Sequence, residues 1–498
     1  MVAILLGLVH RRVFVHVLAL EYLGYSTLFS EIFSWLGMAE LGVGTIITFH
    51  LYRELASQNH EEISKLMVIY KWVYWCTGAV VLAAGAVLSL FLPAFVRDAT
   101  ISHRFMLLIY YLQLSGILVQ YFLSYRRTIF VADQREYLCA QLDIYCSLGV
   151  QLVRCVCLLI FRNFLLDLAL GILVNLLTNL LIHRLSRRVY PYLDETRPRV
   201  TLQDIKDRDL FRDTANFLIH RLSYTVYGAT DNIIISAACG IRQVALYGNY
   251  TVLYTSAFSI FYKIMGPVQA AIGNRVYAER EMEDQWNLFR AFDILCLYLA
   301  QYGGLGFLVF YQPVITLWMG EGYLLDGSLV AVTSLLAYSG IAFEIVYSYR
   351  AAFGDYRQDR ACMMLSAVLN VALSVLLVRV WDVTGVKLGT LAALLPILYG
   401  RSHFVIKGFF HKSLPGYLAR QTVRGCVFLG EMAAVWALTS GLPVSAAGLA
   451  LRFAVWAVVP GAAATLLACR ETAFHLFISC LQAVFRTVSG KLRRLTGR

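Results

Sequence analysis

Charge is scarce in this 498-residue chain: Asp, Glu, Lys and Arg make up 15% of it, against 59% hydrophobic residues. That balance excludes an ordinary soluble globular domain and points to a polytopic membrane protein. Three motifs of soluble chemistry are missing. There is no GxxxxGK[ST] run, no GxGxxG after a strand and no HExxH, so nucleotide hydrolysis, dinucleotide binding and zinc proteolysis lack their usual apparatus. The eleven cysteines are odd in number, scattered and mostly inside apolar runs, which supports neither a disulfide framework nor a metal site. Even the closest pair, Cys155 and Cys157, points in different directions on a helix. No cofactor and no metal are expected.

What is present is apolar sequence in lengths that cross a bilayer. Segments near 1–20, 26–50, 68–93, 105–124, 138–161, 165–183, 214–238, 244–270, 290–317, 327–348, 361–380, 386–406, 422–440 and 445–468 give about fourteen candidate spans, each near the ~20 residues a helical span needs. The first begins at Met1 with no basic segment before it and is interrupted by His10, Arg11 and Arg12. It fails as a cleavable signal peptide, which places its charges first. With both termini cytoplasmic, the inside segments collect about 30 of the 43 Lys and Arg, and the outside loops about six. The positive-inside rule fixes that orientation. It also accounts for the net charge of +12 and removes nucleic acid as a partner, because the basic residues are spread over many short loops. The outside loops are too short to build and shield a catalytic site, so the chain does not read as an enzyme.

The stretch from Asn216 to Asn274 organises the rest. Asn216, His220, Tyr224, Tyr227 and Asp231 follow at steps of 4, 4, 3 and 4, on one face of a helix. Thr251, Thr255, Ser259, Tyr262, Gly266, Gln269 and Gly273 form a second stripe, with Lys263 beside it. A charge facing lipid at a span's centre costs roughly 2.5–3.5 kcal/mol, so these groups are expected to line a cavity. The competing reading is a polar seam between packed helices. A weak echo of Glu21-Tyr22-Leu23-Gly24 in Ala245-Leu246-Tyr247-Gly248 fits two parallel repeats about an axis along the membrane normal.

An ordered set of strings carries a resemblance. Glu21-Tyr22-Leu23-Gly24, Ala39-Glu40-Leu41-Gly42-Val43-Gly44, Ser124-Tyr125-Arg126-Arg127 with Ala132-Asp133-Gln134, Tyr190-Pro191-Tyr192-Leu193, Thr230-Asp231-Asn232-Ile233-Ile234-Ile235-Ser236, Ile315-Thr316-Leu317-Trp318-Met319-Gly320 and Gln358-Asp359-Arg360 resemble bacterial polysaccharide-transport proteins. These are the oligosaccharide flippases of the multidrug/oligosaccharidyl-lipid/polysaccharide exporter superfamily. The resemblance runs from about residue 10 to 410. It implies an all-α polytopic membrane protein with about fourteen transmembrane helices, in two pseudo-symmetric six-helix bundles plus two C-terminal helices. The expected divisions are 1–185 for the first bundle, 186–213 for a cytoplasmic linker, 214–410 for the second bundle, 411–470 for the two added helices and 471–498 for an amphipathic, basic cytoplasmic tail. Members usually carry more residues before the first helix, so this N-terminus reads as abbreviated. Arg12 stands where they have a small polar residue, which leaves open whether Arg11 or Arg12 faces the cavity.

The resemblance implies alternating access that carries a lipid-linked oligosaccharide from the cytoplasmic to the outer leaflet of the bacterial inner membrane, among membrane lipids and beside glycan polymerase and glycosyltransferase partners. A polyprenyl pyrophosphate head needs fixed cations and hydroxyls in place of its water. Arg11, Arg12, Arg154, Arg221 and Lys263 are the candidate cations, with His220, Tyr224 and Tyr227 on the polar stripe. Arg154 ends a stripe of Asp143, Ser147 and Gln151, and a salt bridge to Asp143 or a snorkelling end would explain it equally well. Glu40, Asp231 and Glu344 are the candidate coupling or ion-pair acids. For Glu40, helix packing through Gly37, Gly44 and Thr48 is an equal explanation. Two other readings stand beside the flippase: a cation-coupled exporter of small drugs from the same superfamily, and a membrane-embedded glycan polymerase or ligase.

Overall fold

The computed structural model describes residues 2–37, 43–96, 100–195, 222–223, 225–276, 281–353, 359–479 and 482. Among these the regular structure is entirely helical. Eight helices are long and apolar enough to cross a membrane, or nine with one bent pair counted as a single span. The sequence expectation of an all-helical membrane protein therefore holds, while its count of fourteen is not reached among the described residues.

Local chemistry sets where the helices begin. The helix His60–Ser89 (α4) is preceded by Asn59, whose side chain accepts from the Glu62 amide, and Glu61 and Glu62 occupy its positive first turn. Ser102, Asn163, Asp326, Ser413 and Ser445 cap their helices the same way. Before α4 lie Val2–Val17 (α1), Leu20–Leu36 (α2) and Val43–Ala56 (α3). The expected 26–50 span is thus two helices, with residues 38–42 outside the described residues. After α4 come His103–Leu123 (α5), Glu136–Phe161 (α6) and Phe164–Val189 (α7). Arg162 adopts a left-handed φ of 48° and Asn163 caps α7, so α6 and α7 turn back on each other within two residues.

Next come Asp231–Cys239 (α8) and Ile241–Val276 (α9), then Met282–Trp318 (α10). Gly320, at φ +109°, follows α10 in a backbone region that L side chains rarely adopt. Gly327–Ala342 (α11) and Glu344–Ala352 (α12) bend by 44°. Arg360–Ser402 (α13) doubles back at Trp381 and Asp382, where the backbone leaves helical values. Asn370 donates to Thr390 Oγ1 at 3.0 Å and Ser374 to the Val386 carbonyl at 3.2 Å, so the expected 361–380 and 386–406 segments are two antiparallel arms. Leu414–Thr439 (α14) and Ala446–Ala468 (α15) follow.

The chain forms two compact units, one of residues 1–249 with 374–386, the other of 250–373 with 387–498. The expected linker, 186–213, lies outside the described residues from 196 onward. In the first unit Ile47, Leu51, Leu66, Ile69, Phe130 and Ile182 form a dry core. There too α2 passes close to the start of α9, for a Cβ on Gly24 would stand 2.3 Å from the Ile241 carbonyl oxygen. In the second unit the tail begins by packing: Ala473 and Phe477 are buried against Ala291, Ile294 and Ala468. Residues 483–498 of the expected surface helix lie outside the described residues.

Candidate functional site

In the first unit α1 carries a cation inward. Arg11 Nε donates to Asn249 Oδ1 at 2.7 Å, and Asn249 is fully buried. Arg11 Nη2 and Asn249 Nδ2 are buried and make no hydrogen bond among the described residues, so the site keeps donor capacity for an acceptor. Gly248 makes room, since a Cβ there would lie 2.7 Å from Arg11 Nη2. Arg12 is exposed. Of the two adjacent arginines, Arg11 is the one turned into the unit.

A second cation is committed. Arg154 holds Asp167 through two parallel hydrogen bonds, Nε to Oδ1 at 2.9 Å and Nη2 to Oδ2 at 2.7 Å. His10 Nε2 reaches the same Oδ1 at 2.8 Å. Asp167 is 2% exposed, so one buried carboxylate ties α1, α6 and α7 together. The tight turn at Arg162–Asn163 brings positions 154 and 167 face to face. Asp143 instead takes Arg127 at 2.7 Å, and Gln151 donates to Ser147 at 3.4 Å.

Asp231 is buried at the start of α8 and accepts from the Tyr247 hydroxyl at 2.8 Å. Beside it Asn232 donates to Glu31 of α2, and Trp35 Nε1 donates to the Ala229 carbonyl at 2.5 Å. Tyr227 is half-buried. Glu40, His220, Arg221 and Tyr224 lie outside the described residues.

In the second unit Glu344 is buried and accepts from Gln269 Nε2 at 2.8 Å and Ser348 at 3.5 Å. Lys263 and Tyr262 are exposed, and the Thr255 and Ser259 hydroxyls turn back to carbonyls of their own helix at 2.9 and 2.8 Å.

The string residues of the expected cytoplasmic loops make charged locks. Tyr190 donates to Asp133 Oδ2 at 2.7 Å, and Arg135 meets the same oxygen at 3.0 Å. Burial first, then the bond to Asp133, pushes the Tyr190 hydroxyl above its ordinary range, and burial takes Tyr192 up to about 12. Asp359, fully buried, takes Arg350 at 2.5 Å and Arg401 at 3.2 Å.

Sequence reasoning passed over Glu31, His10, Asp167 and Asn249. Asp167 and Glu31 lie within apolar segments, and the cost of an acid in hydrocarbon was the signal available for them. His10 and Asn249 had no local signal, because each matters only through a partner distant in the chain.

Neither any family model nor the sequence of any curated protein matches this chain. Solved structures do. The chain is similar to the lipid II flippase MurJ in an inward closed conformation, at TM-score 0.69 and 10% identity, over 93% of this chain and 96% of that one. It is similar also to an inward-facing multidrug resistance MATE family transporter of the MOP superfamily, at TM-score 0.59 and 16% identity, over 80% of this chain and 94% of that one. Over most of its length the chain therefore shares the fold of these two proteins.

Proposed function

We propose that this chain is a flippase that moves a lipid-linked oligosaccharide, carried on a polyprenyl pyrophosphate, from the cytoplasmic to the outer leaflet of a bacterial inner membrane. The observation that supports it is Arg11, an inward-turned guanidinium with a buried nitrogen that still has hydrogen bonds to give, set in a fold similar over 93% of the chain to a lipid II flippase. An anionic head leaving water needs such a donor, and a guanidinium binds phosphate oxygens in its fork geometry. The 1–185 and 214–410 halves would alternate access around the site, with Arg221 and Lys263 as further cations and both termini cytoplasmic. Glycosyltransferases making the cargo and a polymerase consuming it are the natural partners. Nothing in this reading requires catalysis.

A cation-coupled exporter of small molecules is the second reading. It is favoured by the carboxylates Asp231 and Glu31, which meet α8 at adjacent positions, and by the similarity to a multidrug transporter. Proteoliposomes separate the two. With a fluorescent polyprenyl pyrophosphate oligosaccharide in one leaflet, the flippase reading expects transfer that falls at least tenfold in Arg11→Gln. Proton-driven efflux of a cationic dye with no lipid transfer would establish the second reading instead.

A further inference from the structure

Within the second unit, where α10, α11 and α14 pack, a carboxyl group lies without an ion pair among the described residues. Gln301 Nε2 of α10 donates to Glu431 Oε1 of α14 at 3.2 Å. Gln301 is fully buried and Glu431 is 9% exposed. The second oxygen of each side chain, Gln301 Oε1 and Glu431 Oε2, is buried and makes no hydrogen bond among the described residues. An amide oxygen and a carboxylate oxygen can only accept, so an ionised Glu431 leaves two orphaned acceptors on two side chains already joined. One hydrogen on Glu431 Oε2 changes this. It turns Oε2 from an acceptor into a donor, and Gln301 Oε1 is the unpaired acceptor on the side chain already bonded to it.

Among the described residues no neighbouring cation is left to a charged Glu431. Arg424, two turns earlier on α14, spends Nη1 on Asp293 of α10 at 2.7 Å and Nη2 on Glu471 at 2.6 Å. Arg452 of α15 is spent on the carbonyls of Thr439, Leu442 and Pro443. Cys296 of α10 is buried and uncharged as a thiol. From α11, Tyr338 stacks on Phe428 at 4.0 Å, one turn before Glu431, and its buried hydroxyl makes no hydrogen bond.

We propose that Glu431 is a proton-binding site, a neutral carboxylic acid paired with Gln301 that holds α14 against α10. The proton is taken from water and returned to it, and no other bond changes. The inference does not depend on the cargo. Loss of the proton would set a bare charge and two facing acceptors in the contact, so the attachment of α14 to α10 weakens as pH rises.

Infrared difference spectroscopy of the full chain in nanodiscs, wild type against Glu431→Gln, tests this. The expected result at neutral pH is loss of a protonated-carboxyl C=O band in the variant. The variant should accumulate and melt as wild type, because glutamine presents the same acceptor and donor to Gln301. In Gln301→Leu the same band should shift in frequency as its hydrogen bond is lost. The proposal is overturned if Glu431→Gln removes a carboxylate band instead, if it removes no carboxyl band, or if it fails to accumulate, since the fold then needs the charge.

Discussion

Arg154 and Asp167 face each other across the turn between α6 and α7 through two hydrogen bonds of 2.9 and 2.7 Å, and His10 shares the carboxylate. An arginine so held is positioned by protein. It is a poor candidate for gripping cargo, whereas Arg11, with a free buried nitrogen, is a good one. Asp167→Asn should therefore lower stability by about 3 kcal/mol, the cost of leaving a mostly buried cation unpaired. Thermal unfolding in detergent measures it, and Arg154→Gln added to Asp167→Asn should restore part of the loss.

Arg11→Gln should behave differently. Arg11 makes a single hydrogen bond among the described residues, to Asn249, so the variant should reach the membrane at wild-type abundance and transport poorly. Gly248→Ala should weaken transport in the same direction, because its methyl would come within 2.7 Å of Nη2 and push the guanidinium aside. Complementation set beside immunoblotting reads both, and full transport by the two variants would remove Arg11 from the anion path.

Asp231 accepts from Tyr247, a bond that Asp231→Asn can keep while losing the charge. The variant is expected to accumulate normally and to transport slowly, as complementation beside immunoblotting reads. Reduced abundance with unchanged transport per molecule would assign Asp231 a structural role only.

Tyr190→Phe removes the bond to Asp133, worth about 1 kcal/mol. Tyr190 is held protonated above its ordinary range by burial and by Asp133. Its contribution is thus fully present below about pH 10, the unfolded value for tyrosine, and is lost as pH rises from there through the folded value. Alkaline melting curves should fall more steeply for wild type than for the phenylalanine variant.

Reporters fused after Lys412 and after Arg199 should be cytoplasmic, and one in the 320–327 loop external. An external signal from the Arg199 fusion would reverse the orientation and with it the direction of transport.

Composition and periodicity determined the class, because a chain that is 59% hydrophobic with 15% charge has no soluble solution, and its spans begin where Asn, Ser and Asp supply acceptors for free amides. The acids Asp231 and Glu344, both buried, could be picked out because charged groups in apolar sequence are costly and stand out. Helical spacing could offer Arg154 only partners on its own helix or a loop, hence Asp143. The turn at Arg162 instead delivered Asp167. Spacing also left Arg11 and Arg12 equal, being adjacent in sequence, until packing against Gly248 and Asn249 turned one inward. Which of these cations is spent on a carboxylate was decided by the tertiary structure alone, because a partner on another helix, whether 13 or 238 residues away, leaves no trace in the periodicity of one helix.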